Sequence, residues 1–203
     1  LSRVPITGLR NGELILAIDI RPANKALYGV SSESLLYIID PNTGIVQPVS
    51  PTPFSPAIAG NYVGFDFDPR EDCIRLVTDK DQNLRINPTT GVVTNQDLPL
   101  NPLTPSVNSI AYSAVTFGLS ASSLFDIDIA EGMLYRQNPI AGTLTPVGSL
   151  GITVTGEGGF DISRNNTALA VLYASGRGVG GGSIDADPAY RLYSINLKSG
   201  GAT

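Results

Sequence analysis

A repeat of 47 residues constrains this chain more than any other feature. Ala17-Ile18-Asp19-Ile20, Gly64-Phe65-Asp66-Phe67, Ala111-Tyr112-Ser113-Ala114 and Gly159-Phe160-Asp161-Ile162 share one pattern: a small residue, a bulky apolar one, then a short polar one. Their third positions stand at 19, 66, 113 and 161, which sets the period at 47, 47 and 48 residues. A second signature runs in phase: Asp40-Pro41-Asn42-Thr43-Gly44, Asn87-Pro88-Thr89-Thr90-Gly91, Asn138-Pro139-Ile140-Ala141-Gly142 and Asn196-Leu197-Lys198-Ser199-Gly200. Asp or Asn caps such a turn through its side chain, Pro presets φ, and Gly accepts the left-handed conformation. That chemistry predicts a hairpin between two strands.

Apolar runs flank each hairpin, and further runs (Ala26 to Val30, Cys73 to Thr78, Leu124 to Ile129, Leu169 to Tyr173) lie between the two signatures. Every unit therefore holds four short strands. Units of this length built from four antiparallel strands are blades of a β-propeller. The chain reads as an all-β, small propeller of four four-stranded blades, one domain over 1–203. The blades fall at about 14–50, 63–97, 108–148 and 158–203. The last unit stops just after its hairpin glycine, and Arg3-Val4-Pro5-Ile6 resembles the fourth strands Val46-Gln47-Pro48-Val49 and Leu144-Thr145-Pro146-Val147. Residues 2–7 are therefore expected to close the ring by pairing with Tyr190 to Leu197, which removes an exposed edge. The alternative is that the chain forms part of a five-bladed ring. Ala174 to Ala189, Gly-rich, is expected to be a surface loop inserted between two strands.

Composition removes several function classes. The 203 residues carry a net charge of −5, with no cluster among their 13 basic residues, so a nucleic-acid footprint is not expected. The absence of histidine removes histidine-based triads and the usual general base. Cys73 is alone and forms no internal disulfide. No apolar run reaches the ~18 residues of a membrane-spanning helix. The chain starts at Leu1 rather than Met, which suggests that a leader has been removed.

The phrases Gly64-Phe65-Asp66-Phe67-Asp68-Pro69 and Gln82-Asn83-Leu84-Arg85-Ile86-Asn87-Pro88, within a pattern running from Pro5 to Leu197, resemble the DUF4394 family. The resemblance implies a propeller domain of bacterial, mostly secreted proteins, and hence a secreted or cell-surface location. It also implies a further partial unit upstream, and it brings no catalytic residues with it.

Among candidate sites, Gly176-Arg177-Gly178-Val179-Gly180-Gly181 matches G-x-G-x-x-G as text but lacks the following helix that dinucleotide binding requires. Gly118-Leu119-Ser120-Ala121-Ser122 departs from the nucleophile elbow at its last position. Asp185 and Asp187 lack the further oxygens and the glutamate of a calcium loop. Asn165-Asn166-Thr167 fits a glycosylation acceptor and reads more simply as a turn. Asp19, Asp66 and Asp161, with Ser113 in the fourth place, are the recurrent polar residues of the inner strands, and they form the candidate channel ring. In one reading each accepts an amide hydrogen bond from the next blade. In the other they hold a cation or polar ligand at the channel mouth. Recurrence favours the first. Glycosidase chemistry needs two carboxylates across a bond, and neither Asp68 with Glu71 nor Asp126 with Asp128 is marked as such a pair. Tyr28, Tyr37, Tyr62, Tyr112 and Tyr135 are the available sugar-stacking rings, in a chain without tryptophan.

The expectation is a non-enzymatic extracellular binding or scaffold propeller with no cofactor, metal or catalytic residue. The sequence does not specify its partner, and a glycan, a protein or a second copy of the chain are the candidates. A hydrolase using channel-mouth carboxylates and a self-assembly module are the alternatives.

Overall fold

The computed structural model describes residues 3–102, 105–114, 122–176 and 185–203. Runs rich in Ile, Val, Leu, Phe and Tyr pair as antiparallel ladders because the turn residues between them fold the chain back on itself. The first sheet holds β1 (Ile15–Ile20), β2 (Leu27–Ser31), β3 (Leu36–Ile39) and β4 (Val46–Pro48). The second holds β5 (Val63–Asp68), β6 (Cys73–Thr78), β7 (Asn83–Ile86) and β8 (Val93–Gln96). The third holds β9 (Val107–Tyr112), β10 (Leu124–Asp128), β11 (Met133–Gln137) and β12 (Leu144–Ser149). The fourth holds β13 (Thr153–Ile162), β14 (Ala168–Gly176) and β15 (Asp185–Ser194). No helix is present among the described residues, so none is long and apolar enough to cross a membrane. Four antiparallel blades, each in chain order from the axis outward, make a β-propeller.

The hairpin signature forms as its chemistry predicts. Gly44, Gly91, Gly142 and Gly200 all take positive φ, between 67° and 83°. The capping side chains of Asp40, Asn87, Asn138 and Asn196 accept N–H groups two residues on, from Asn42, Thr89, Ile140 and Lys198.

The core lies between blades. Alternation along a strand sends one set of side chains to each face of the sheet, and inner strands β1, β5, β9 and β13 pack in succession. Phe65 and Phe67 of the second blade bury against Tyr28, Val30 and Leu36 of the first, with the Tyr28 and Phe67 rings edge-on at 5.3 Å. Ile110 and Tyr112 of the third meet Val77 of the second. Phe160 and Ile162 of the fourth meet Phe125 and Ile127 of the third. Each blade thus turns the bulky residues of its inner strand toward the blade before it.

The seam between the fourth and first blades differs. Ile18 and Ile20, which hold the places of Phe65 and Phe67 in the first blade, are each 55% exposed. Across from them Val171 and Leu192 of the fourth blade are 44% and 64% exposed. No approach comparable to the other three joins β13 to β1. The two faces flank a cleft of about 420 Å³ lined by Ile18, Ile20, Leu27, Leu169, Val171 and Leu192.

Two expectations are corrected here. The N-terminal segment does not close the fourth blade. Thr7 forms a parallel bridge with Ile45 at the rim of the first blade, its N–H donating to Gly44 at 3.0 Å. The place it was expected to fill is taken by the C-terminal residues: Ser194 and Thr203 exchange both backbone bonds, at 2.7 and 2.9 Å, and Ile195 bridges Ala202. The expected loop at 174–189 is also partly strand, because Ala174 pairs with Ala189 and Gly176 with Asp185. The Gly-rich motif beyond Gly176 and most of Gly118–Ser122 lie outside the described residues.

Candidate functional site at the channel mouth

The inner strands turn bulky residues toward the preceding blade, so the intervening residues face the axis and the next blade. Asp19 Oδ2 accepts the backbone N–H of Phe67 at 2.9 Å, and Asp66 Oδ2 accepts that of Tyr112 at 2.7 Å. Both bonds cross from one blade to the next. They satisfy amides at the axis that would otherwise be buried without a partner. The expected stitching role therefore holds for Asp19 and Asp66, and a bidentate Arg21–Asp72 pair (2.9 and 2.6 Å) adds a second link between the first two blades.

The third blade is displaced by two residues from the sequence period. Phe67 follows its acid whereas Tyr112 precedes Ser113, so the residue placed as Asp66 is placed is Ala111 rather than Ser113. A bulge shifts the β9–β10 register at Asp128, pairing it with Val107 and passing over Asn108. Ser113 instead caps a local pairing, its hydroxyl accepting the Ser123 N–H at 2.8 Å.

Asp19, Asp66 and Asp161 converge, with one oxygen of each within 4.8 Å of the others. Asp66 is buried, Asp19 half-buried and Asp161 exposed. Burial pushes the Asp66 carboxyl well above the usual carboxylate range, and the neighbouring Asp19 charge pushes it further than the Tyr112 amide can offset. Burial also raises Asp19, against the opposing hydrogen bond from Phe67. Like charges this close oppose each other's ionisation. Among the described residues no hydrogen bond reaches the Asp161 carboxylate. The cluster opens into a cavity of about 690 Å³ whose lining adds Lys25, Arg164, Ser113 and Ser163. Sequence reasoning missed Lys25 and Arg164, which sit in turns with no repeat signal.

Three oxygens fall short of the six to eight a calcium ion takes, and two of the acids already serve amides.

The remaining candidates resolve as structure. Asp68 Oδ1 accepts N–H groups from Arg70 and Glu71, and Asp128 Oδ1 does so from Ala130 and Glu131, so both acids cap turns. Asp126 is wholly buried, with its carboxyl pushed well up by desolvation and with Gln137 placed to donate to it. Glu71 reaches Arg85. Asn166 takes φ 61° in a turn, and its side chain accepts the Ala114 N–H at 3.0 Å, linking the last two blades. Tyr28, Tyr37 and Tyr112 are buried and offer no stacking face. The sequence also concealed Glu13, a buried carboxylate that accepts the hydroxyls of Ser31 and Tyr37 and the Arg10 N–H. Burial works to raise it, but these hydrogen bonds outweigh that and hold it below the usual carboxylate range.

A family model, Domain of unknown function (DUF4394), matches residues 1–203, and the chain belongs to that family. No curated protein matches it. Among solved structures it is similar to a protein of unknown function from Bacteroides caccae, with TM-score 0.52 and 10% identity over 97% of this chain and 62% of that one. An auxiliary nutrient binding protein from Bacteroides thetaiotaomicron gives TM-score 0.50 and 14% identity over 91% of this chain and 45% of that one. The Dos1 propeller gives 0.50 and 11% over 93% and 45%. The chain thus spans at most 62% of these neighbours, and the likeness is one of fold.

Proposed function

We propose that this propeller is a non-enzymatic extracellular binding module whose channel mouth contacts a polar ligand, with a glycan as the first candidate. The observation that carries this reading is the state of the carboxylates. Asp19 and Asp66 spend an oxygen each on holding neighbouring blades, and all three acids crowd within 4.8 Å. A retaining glycosidase separates its two carboxyl groups by ~5–5.5 Å and an inverting one by more, with the scissile bond between them. Here one oxygen of each acid lies within 4.8 Å of the others, closer than that spacing. The cavity beside them, about 690 Å³, is of ligand size and offers both signs of charge through Asp161, Lys25 and Arg164. A nutrient-binding protein among the fold neighbours is consistent with this use of the architecture.

Glycan-array binding by the purified chain, compared with Asp161→Asn and Arg164→Ala variants, tests the proposal. Loss of a charge-assisted contact is expected to weaken binding by about 10-fold or more in each variant. Turnover of a chromogenic glycoside that Asp161→Asn abolishes would overturn it in favour of a hydrolase.

A further inference from the structure

Asn11-Gly12 is the one asparagine–glycine pair in the chain, and it forms the middle of a turn that leads into β1. The Glu13 N–H donates to the Arg10 carbonyl at 3.1 Å, and Gly12, third in the turn, takes φ 79°. Both central residues are exposed. A Cβ on Gly12 would meet nothing within 4 Å, so no neighbour shields the Gly12 nitrogen. Among the described residues no hydrogen bond reaches the Asn11 side-chain amide, and none is donated by the Gly12 N–H. An asparagine side chain is long enough to reach the peptide nitrogen that follows it. A glycine at that next position leaves the approach open.

The other asparagines lack one or more of these conditions. Asn87, Asn101 and Asn138 precede proline, whose nitrogen carries no hydrogen. Asn83 and Asn108 are 1% and 2% exposed. The Asn166 side chain is held by the Ala114 N–H at 3.0 Å. Every remaining asparagine is followed by a residue with a side chain.

We propose that Asn11 is a site of spontaneous deamidation, and that its isoaspartate product breaks the turn's hold on Glu13. Asparagine is among the thermolabile residues. The Gly12 nitrogen, having given its proton to hydroxide, attacks Cγ of Asn11. A C–N bond forms, the Cγ–Nδ2 bond breaks, and the amide nitrogen takes a proton from water and leaves as ammonia. The product is a five-membered succinimide. Water then adds to one of its two carbonyl carbons and breaks that carbon's bond to the Gly12 nitrogen. Opening at Cγ gives aspartate with the ordinary main chain. Opening at the main-chain carbonyl gives isoaspartate, whose main chain runs through Cβ and Cγ. Either way one water is consumed and one ammonia released, and nothing is oxidised or reduced.

The two products act differently on the turn. Aspartate keeps the backbone length and adds a charge in solvent. Isoaspartate adds a methylene to a turn that is bonded at both ends, because the Arg10 N–H also donates to Glu13 Oε2 at 2.9 Å. Glu13 is 5% exposed and accepts the Tyr37 hydroxyl at 2.8 Å and the Ser31 hydroxyl, which ties the turn to β3 and β2. The lengthened turn cannot keep both Arg10 bonds, and a buried carboxylate then loses a donor.

The folded 203-residue chain is held in mildly alkaline buffer for days and digested with trypsin. The peptide from Asn11 to Lys25 is followed by mass spectrometry and by methylation with protein-L-isoaspartate methyltransferase. The mass gain of an amide-to-acid exchange is expected at Asn11 ahead of every other asparagine, with methyl acceptance rising beside it. Both slow in mildly acidic buffer, where the Gly12 nitrogen keeps its proton. Both disappear in Asn11→Gln, whose longer side chain would have to close a six-membered ring. The aged protein is expected to melt about 3 °C lower or more, whereas Asn11→Asp, the ordinary product made directly, melts as the parent does. No mass gain at Asn11, or a gain no faster than at the other asparagines, would overturn the site. An unchanged melting temperature in aged protein, or an equal loss in Asn11→Asp, would overturn the role of the lengthened main chain.

Discussion

The second and fourth blades begin with nearly the same words, Gly64-Phe65-Asp66-Phe67 and Gly159-Phe160-Asp161-Ile162, and end in different environments. Every residue of β5 is buried, whereas exposed residues recur along β13. The second blade lies between two neighbours and the fourth has one packed neighbour. Local sequence sets the strand and its facing, and the count of neighbours sets what each facing side chain contributes. Phe65 and Phe160 look backward and are buried in both blades. Asp66 and Asp161 look forward, and only Asp66 finds an amide.

The comparison breaks most visibly at large apolar residues. Phe67→Ala removes a ring that is 2% exposed and is expected to cost about 3–5 kcal/mol. Leu192→Ala, in the fourth blade's forward face, is expected to change stability by no more than about 0.5 kcal/mol. Urea denaturation of both variants measures the gap, and similar losses would mean that the seam is packed in solution.

A smaller contrast comes from added volume. Gly64→Val drives methyl groups into Ile110 and is expected to cost about 1–3 kcal/mol, while Gly159→Val in the same chain is near neutral. Denaturation midpoints at equal m-values read the difference.

The smallest effect is electrostatic and sharpens the comparison by pH. The Asp66 pKa is raised on folding, chiefly by burial and then by the Asp19 charge. A group raised in the folded state supports folding fully below its unfolded pKa of ~3.9, and that support is lost as pH rises through the folded value. Stability is therefore expected to decline as pH rises from ~4 through the folded-state value. Asp66→Asn keeps an oxygen for the Tyr112 N–H, carries no charge, and is expected to flatten this decline. Melting temperatures across the pH range compare Asp66→Asn with the parent, and an unchanged slope would remove Asp66 as its source.

Much of this architecture was legible because each signature has a local cause. The Asp/Asn-to-Gly hairpins, the order of strands within blades and the backward-facing Phe65, Phe67 and Phe160 follow from turn chemistry and alternation. The bridging of blades by Asp19 and Asp66 was legible from recurrence at one position per unit. What failed was non-local. The resemblance of Arg3-Val4-Pro5-Ile6 to a fourth strand was real, but chain similarity does not say which sheet a strand joins. The final residues Gly201 to Thr203 were already placed to pair with β15. The shift of two residues in the third blade was hidden because Ala111-Tyr112-Ser113-Ala114 fits the small, bulky, polar pattern at the 47-residue spacing, although Ala111 holds the place of Asp66. Lys25 and Arg164 reached the channel mouth from turns that repeat in no other unit.

The crossing of Thr7 over Ile45, and of Asn101 over Thr143, bears on the order of assembly. Each of these two segments is bonded to the rim of the sheet that follows it, so a docking strip precedes that sheet in the chain. A chain synthesised from its N-terminus presents that strip just as the next unit emerges, and successive units then form contacts across about one repeat rather than across the whole ring. Propagation from one end becomes the short route to the native state. A circular permutant cut inside a connection would have to fold without that guide at one of its joints.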